Sequence, residues 1–265
     1  MPAMSATTLS GNTPIALSPT DKTTLYIGAQ FLFRSHDQGQ TWERISPDLT
    51  TNDKEKQKQE ESGGITVDNS EAEMHTTIYA ISESPKDANV IWVGTDDGNV
   101  QVTRDGGKSW HNVVANAHVP PNSWVSYIDA SHFDAGTAYV SFDRHTFGDM
   151  APMVYKTTDF GAHWQALANA AQDKGLRGYA HVVRNDPVNP GLLYAGTEFG
   201  LWISNDDGAN WAQFKPTDFP AVAVRDLAFQ TRDHDLVLAT HGRGIWIIDD
   251  LTPFRALTPD ILQQE

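Results

Sequence analysis

One short pattern recurs four times along the 265 residues: a Ser or Thr, an Asp two positions on, a Gly two further, and a Trp three after that. It falls at Ser35, Asp37, Gly39, Trp42; at Thr103, Asp105, Gly107, Trp110; at Thr157, Asp159, Gly161, Trp164; and at Ser204, Asp206, Gly208, Trp211. Four of the eight tryptophans therefore occupy one repeated slot. The copies follow apolar alternating runs and glycine corners, as in Leu192 to Gly196 and then Leu201 to Ser204, so the repeating unit is a small antiparallel sheet.

Turn chemistry accounts for each residue of the pattern. A short Asp side chain accepts hydrogen bonds from backbone amides just ahead of it, Gly supplies a positive φ, and the hydroxyl ties the turn to its strand. The Trp then opens the next strand and lays a large ring over the neighbouring sheet, its indole N–H seeking an acceptor. Asp37, Asp105, Asp159 and Asp206 are accordingly expected to be structural, and the four tryptophans to occupy equivalent packed sites.

The Asp positions are separated by 68, 54 and 47 residues, close to the ~40–50 residues of a four-stranded propeller blade. The long first interval contains a polar, charged stretch without periodicity, so residues 51–64 read as an insertion between blades. A fifth unit lacks the pattern but keeps the strands, at Val224 to Phe229, Leu236 to Thr240 and Ile245 to Ile248. The expected fold is all-β, a single five-bladed β-propeller with blades near 13–50, 75–115, 124–168, 178–215 and 224–258. The first strand of each unit is expected to line a central channel. The outer strand of the fifth blade is expected either from Phe254 to Leu257 or from a segment within Ala6 to Ser10, which would fasten the ends together.

Charge narrows the partners. With 19 basic against 34 acidic residues the net charge is −15, which repels phosphate backbones and anionic membrane surfaces, so neither nucleic acid nor a membrane is an expected partner. A small-molecule or carbohydrate ligand and a monomeric state are. Cysteine is absent, which removes disulfides and thiol nucleophiles and leaves the compartment open. No apolar span is long enough to cross a membrane, and Met1 to Thr13 lacks the charged and apolar regions of a secretory signal, so the chain as written reads as soluble.

Chemistry must come from polar residues on the inner strands and their corners: Glu73, His75, Asp129, His132, Asp143, His145, Arg184, Glu198, Arg225, Asp226, His241 and Arg243. Two carboxylates facing each other can serve as acid and base in glycoside cleavage. Several carboxylates can instead hold Ca²⁺, which polarises an ester or lactone carbonyl. The candidate catalytic set is Asp129, Asp143, Glu198, Asp226, His75 and His241; Arg184, Arg225, Arg243 and Trp124 are candidate substrate contacts; Asp96 and Asp97, on a Gly-rich corner, are candidate Ca²⁺ ligands. The histidines lack zinc-ligand spacing, and no Gly-x-Ser-x-Gly elbow is present.

The repeated pattern is that of the Asp box, or bacterial neuraminidase repeat. The whole chain resembles the C-terminal part of long bacterial glycosyl-hydrolase-like and sortilin-like repeat proteins, through SPDLT at 46–50, WVGTDDGNVQVTR at 92–104, KTTDFG at 156–161, GTEFGL at 196–201 and ATHGRGIWIIDDLTP at 239–253. The resemblance implies a propeller and a hydrolase working at the channel mouth, on a glycoside or on a lactone such as an N-acyl-homoserine lactone, the activity used in quorum quenching. The alternative it implies is a non-catalytic propeller that grips a peptide or sugar. The three-arginine and tyrosine site of sialidases, and the paired aspartates that xyloglucan hydrolases hold between two propellers, cannot be laid on this chain residue by residue.

Overall fold

A computed structural model describes residues 12–61, 75–172 and 174–257. The chain divides into two compact units, Met1–Val125 and Ser126–Glu265.

The first unit holds two four-stranded antiparallel meanders. One runs β1 (Ile15–Leu17), β2 (Leu25–Gly28), β3 (Leu32–Ser35), β4 (Glu43–Arg44); the other β5 (Ile78–Ser84), β6 (Asp87–Thr95), β7 (Val100–Thr103), β8 (His111–Asn112). Tyr26, Leu32, Ile45, Leu49, Ile78, Ile91 and Val93 form the core between them. Gly28 ends β2 because a Cβ there would sit 2.7 Å from Ile78 Cγ2; a side chain would push the two sheets apart. Buried Glu83 is satisfied across the same interface, accepting from Tyr26 Oη at 2.7 Å and Ser18 Oγ at 2.9 Å.

Three meanders make the second unit. They are β9 (Trp124–Ala130, opening two residues before the division), β10 (Ala138–Asp143), β11 (Val154–Thr157), β12 (Gln165–Ala168); then β13 (Ala180–Asn185), β14 (Leu193–Thr197), β15 (Gly200–Ser204), β16 (Ala212–Gln213); and lastly β17 (Val224–Gln230), β18 (Asp235–Thr240), β19 (Ile245–Ile248). Gly196 repeats the role of Gly28, since a Cβ there would lie 2.6 Å from both Val182 Cγ1 and Val224 O. The third meander has three strands among the described residues. Phe254 to Leu257, one expected source of a fourth, instead lies in and just beyond the helix α1 (Thr252–Ala256). Pro253 explains the difference: its fixed φ and missing N–H suit the first turn of a helix. The other expected source, residues 6–10, and the candidate Glu73 lie outside the described residues.

The four boxes share one geometry. Ser35 Oγ donates to Asp37 Oδ1 at 2.8 Å and accepts from the Gly39 amide at 2.8 Å, while Asp37 also takes the Thr41 amide at 2.8 Å and the Thr41 hydroxyl at 2.7 Å. Ser109, His163 and Asn210 occupy the place of Thr41 and donate in the same way from backbone and side chain. Two successive residues are left-handed in each box, for example Gln38 at φ 59° with Gly39 at 89°, and Asp207 at 56° with Gly208 at 80°. At Gly107 and Gly208 glycine is needed for space as well: a Cβ would lie 2.6 Å from Ile45 O and 2.8 Å from Leu167 Cδ1, both on the preceding sheet's segment.

The expected equivalence of the four tryptophans does not hold. Trp211 is 6% exposed and donates to Leu167 O, and half-buried Trp110 donates to Ile45 O, each reaching the preceding meander of its own unit. Trp42 is 41% exposed and donates to Gly39 O within its own turn. Trp42 lies between β3 and β4 of the first meander, and half-buried Trp164 lies between β11 and β12.

Candidate functional site

The chemistry-bearing residues gather in two places, one in each unit. In the first unit, the corner between β6 and β7 carries Asp96 and Asp97. Asp97 accepts the Thr51 amide at 2.7 Å, the Thr51 hydroxyl at 2.6 Å and the Thr95 hydroxyl at 2.5 Å; Asp96 accepts the Thr77 amide at 2.8 Å. Burial, aided by the neighbouring charge of Asp97, pushes the Asp96 carboxyl up to about 7. His75 Nδ1 stands 3.6 Å from Asp96 Oδ2, too far for a hydrogen bond, and burial pushes this imidazole down. N–H and O–H donors already point at both carboxylates, so a Ca²⁺ would have to displace them. Among the described residues no three metal-ligating side chains form a group that could hold a metal ion. The donor set does not fit the expected cation.

The second place is built on the end of β10 and the start of β13. Asp143, the last residue of β10, has a fully buried side chain, and the short helical turn of His145 to Phe147 folds back over it. Its Oδ1 receives the His145 amide at 2.9 Å and His145 Nδ1 at 2.6 Å, and its Oδ2 lies 3.1 Å from His181 Nδ1. Burial raises the Asp143 carboxyl, but the bonds from His181 and from the amide and ring of His145 outweigh it and hold the group below the ordinary carboxylate range. It is a carboxylate at neutral pH.

Two partners compete for His181 Nδ1, since Arg225 Nη1 also stands 3.3 Å from it. A guanidinium only donates, so this nitrogen cannot give its proton to Asp143 and accept one from Arg225. The carboxylate is nearer and the bond is charge-assisted, which places the proton toward Asp143. Arg225 Nη2 donates to Tyr179 Oη at 3.0 Å. The same tyrosine ring stacks on His145, with centroids 4.6 Å apart and 21° between planes. His145 keeps 32% of its side chain exposed while its Nδ1 is held.

The remaining expected residues sit elsewhere. Asp129 is paired with Arg184 Nε at 2.9 Å and accepts the Asn185 amide at 2.7 Å, while Arg184 also donates to Tyr127 Oη and Leu227 O at 2.9 Å each. This is an ion pair of a half-buried arginine with an almost wholly buried carboxylate. Asp226 is exposed and accepts the amide of Leu227 next to it. His241 and Arg243 are exposed on the turn before β19, and Glu198 is half-buried after β14. Trp124 meets Tyr79 edge to face at 4.6 Å. His132 is half-buried on the turn after β9. Sequence reading missed His181 and Tyr179, although a histidine at the second position of the otherwise apolar run Ala180–Val183 was a visible signal.

These features define an all-β fold of five propeller blades in which the Asp-box turn recurs four times. The BNR/Asp-box repeat family matches residues 33–44, the first box, and no curated protein matches the chain. Among solved structures, an ancestral GH74 enzyme superposes with a TM-score of 0.63 at 16% identity, over 89% of this chain and 28% of that one. The GH74 xyloglucanase from Xanthomonas campestris gives 0.64 at 22% identity, over 92% of this chain and 37% of that one. YCF48 from Cyanidioschyzon merolae gives 0.46 at 19% identity, over 65% of this chain and 53% of that one. The chain thus spans about a third of the GH74 proteins, with which it shares the fold. No helix among the described residues is long and apolar enough to cross a membrane.

Proposed function

We propose that the chain is a hydrolase that cleaves an ester or lactone, an N-acyl-homoserine lactone being one such substrate, at the Asp143 cluster. The observation that carries this reading is the 2.6 Å contact of His145 Nδ1 with a buried carboxylate. It fixes the proton on Nδ1 and leaves the basic lone pair on Nε2, the arrangement a general base requires. His145 then takes a proton from water as the oxygen attacks the carbonyl carbon, and returns it to the alkoxide as the C–O bond breaks. Asp143 positions the imidazole and stabilises the imidazolium that forms. Arg225 lies beside the cluster, a donor for the oxyanion.

At the Asp143 cluster the geometry argues against a glycoside. A glycosidase needs a carboxylic acid that can protonate the leaving oxygen, and Asp143 is a depressed, fully buried carboxylate with its oxygens already bonded. The test is a parallel screen of the purified chain against a γ-lactone series, aryl esters and aryl glycosides. Lactone or ester turnover that is lost in His145→Gln supports the proposal. Glycoside turnover alone overturns the substrate class, and absence of all turnover with tight sugar or peptide binding overturns the hydrolase in favour of a binding propeller.

A further inference from the structure

Arg225 differs from the two other half-buried arginines of the second unit that stand against a buried carboxylate. Arg184 is matched by Asp129 at 2.9 Å and Arg255 by Asp186 at 3.0 Å, both carboxylates being almost wholly buried. Half-buried Arg225 has no ion pair with a carboxylate among the described residues; it is held by a tyrosine hydroxyl and lies over that tyrosine's ring, 5.5 Å from its centroid. Asp143, the nearest acid of the cluster on the other side of His181, is committed to two imidazoles. A chain of net charge −15 with 34 acidic residues has no shortage of partners for an arginine, so a half-buried one left to neutral contacts is a site awaiting an anion.

We propose that Arg225, with Tyr179 fixing its plane, is a carboxylate subsite, filled in turnover by the carboxylate that lactone or ester cleavage releases. The proposal rests on the hydrolase reading for its place in turnover and on the arginine's own surroundings for binding. Five N–H donors in a planar fork match a carboxylate in two parallel bonds, and one of the five is spent on Tyr179. Tyr179 also stacks on His145, so a carboxylate held there lies beside the general base. Ring-opened hydroxy acids should therefore compete with substrate. The chain's overall negative charge makes the attraction local and weakened by salt.

The experiment is calorimetric titration of the full chain with 4-hydroxybutyrate and, separately, with inorganic phosphate, repeated on Arg225→Met and Arg225→Lys after their melting curves are shown to match the parent. The expected result is 4-hydroxybutyrate binding that weakens at least about tenfold in R225M and less in R225K, which keeps the charge but loses the fork. Phosphate should bind more weakly than the carboxylate. Equal affinity in parent and R225M, no binding to the parent, or tighter binding of phosphate would each overturn the subsite. Arg225-dependent binding without turnover of any ester or lactone would instead remove the hydrolase and keep the subsite.

Discussion

The aspartates of the boxes and those at the ends of the inner strands are chemically one residue type in two opposite situations. Asp37 takes its donors from Ser35 and Thr41, within four residues, and these bonds to an exposed carboxylate hold it down to about 2. Asp143 takes one imidazole from two residues on and another from 38 residues on, with its own side chain fully buried. Asp96 lies at the far extreme, lifted by burial to about 7. A carboxylate satisfied by its own turn stabilises that turn and has nothing left to offer a substrate. One satisfied by imidazoles polarises them, and of the two here His145 keeps part of its ring exposed while His181 is buried.

This contrast predicts effects of graded size. The largest on stability belongs to Trp211→Ala, which should cost about 3–5 kcal/mol by urea unfolding because the ring is 6% exposed and its N–H bonds the preceding sheet's segment. Trp42→Ala, at 41% exposure with a bond inside its own turn, should cost far less; equal losses would restore the equivalence of the boxes.

Next comes the pH profile. The native Asp96 carboxyl titrates near 7 against 3.8 when unburied, so between those values the folded chain holds a proton that the unfolded chain has released. Stability should fall as pH rises from about 4 to about 7, and Asp96→Asn should flatten that limb of the melting curve. Asp37 has the reverse sign: its native value near 2 gives stability that is present above about 4 and lost as pH falls. A D96N melt with an unchanged slope would show that Asp96 is not desolvated.

Smallest, Asn210→Ala should lower the melting temperature by only a few degrees, since it removes the side-chain donor to Asp206 and leaves the amide donor in place.

Legibility in the sequence follows the same division. The boxes, the five sheets and the strand order could be read because each rests on residues within about a blade of one another, and alternation with glycine corners marks them directly. The second donor of each box, at Thr41, Ser109, His163 and Asn210, escaped notice because four different residue types serve one role. Asp143 and His145 could be picked out as candidates, yet their union with His181 and Arg225 could not. That union depends on β10 and β13 lying side by side in the second unit, with His181 the second residue of its strand. Asp129 and Arg184 looked like site residues for the same reason, and only the ion pair at 2.9 Å separates them from the cluster. The helix over Thr252–Ala256 was signalled by Pro253 but competed with an apolar stretch that also suits a strand.

The most direct test pairs Asp143→Asn with Asp206→Asn and measures, on each, ester or lactone turnover per folded molecule together with the melting temperature. Asparagine at 143 keeps the size and an acceptor but removes the charge that holds His145 and His181. Turnover should drop by about a hundredfold or more while the fold survives. Asparagine at 206 should lower the melting temperature and spare turnover. Turnover lost in D206N and kept in D143N would contradict the assignment of chemistry to the buried carboxylate and structure to the box.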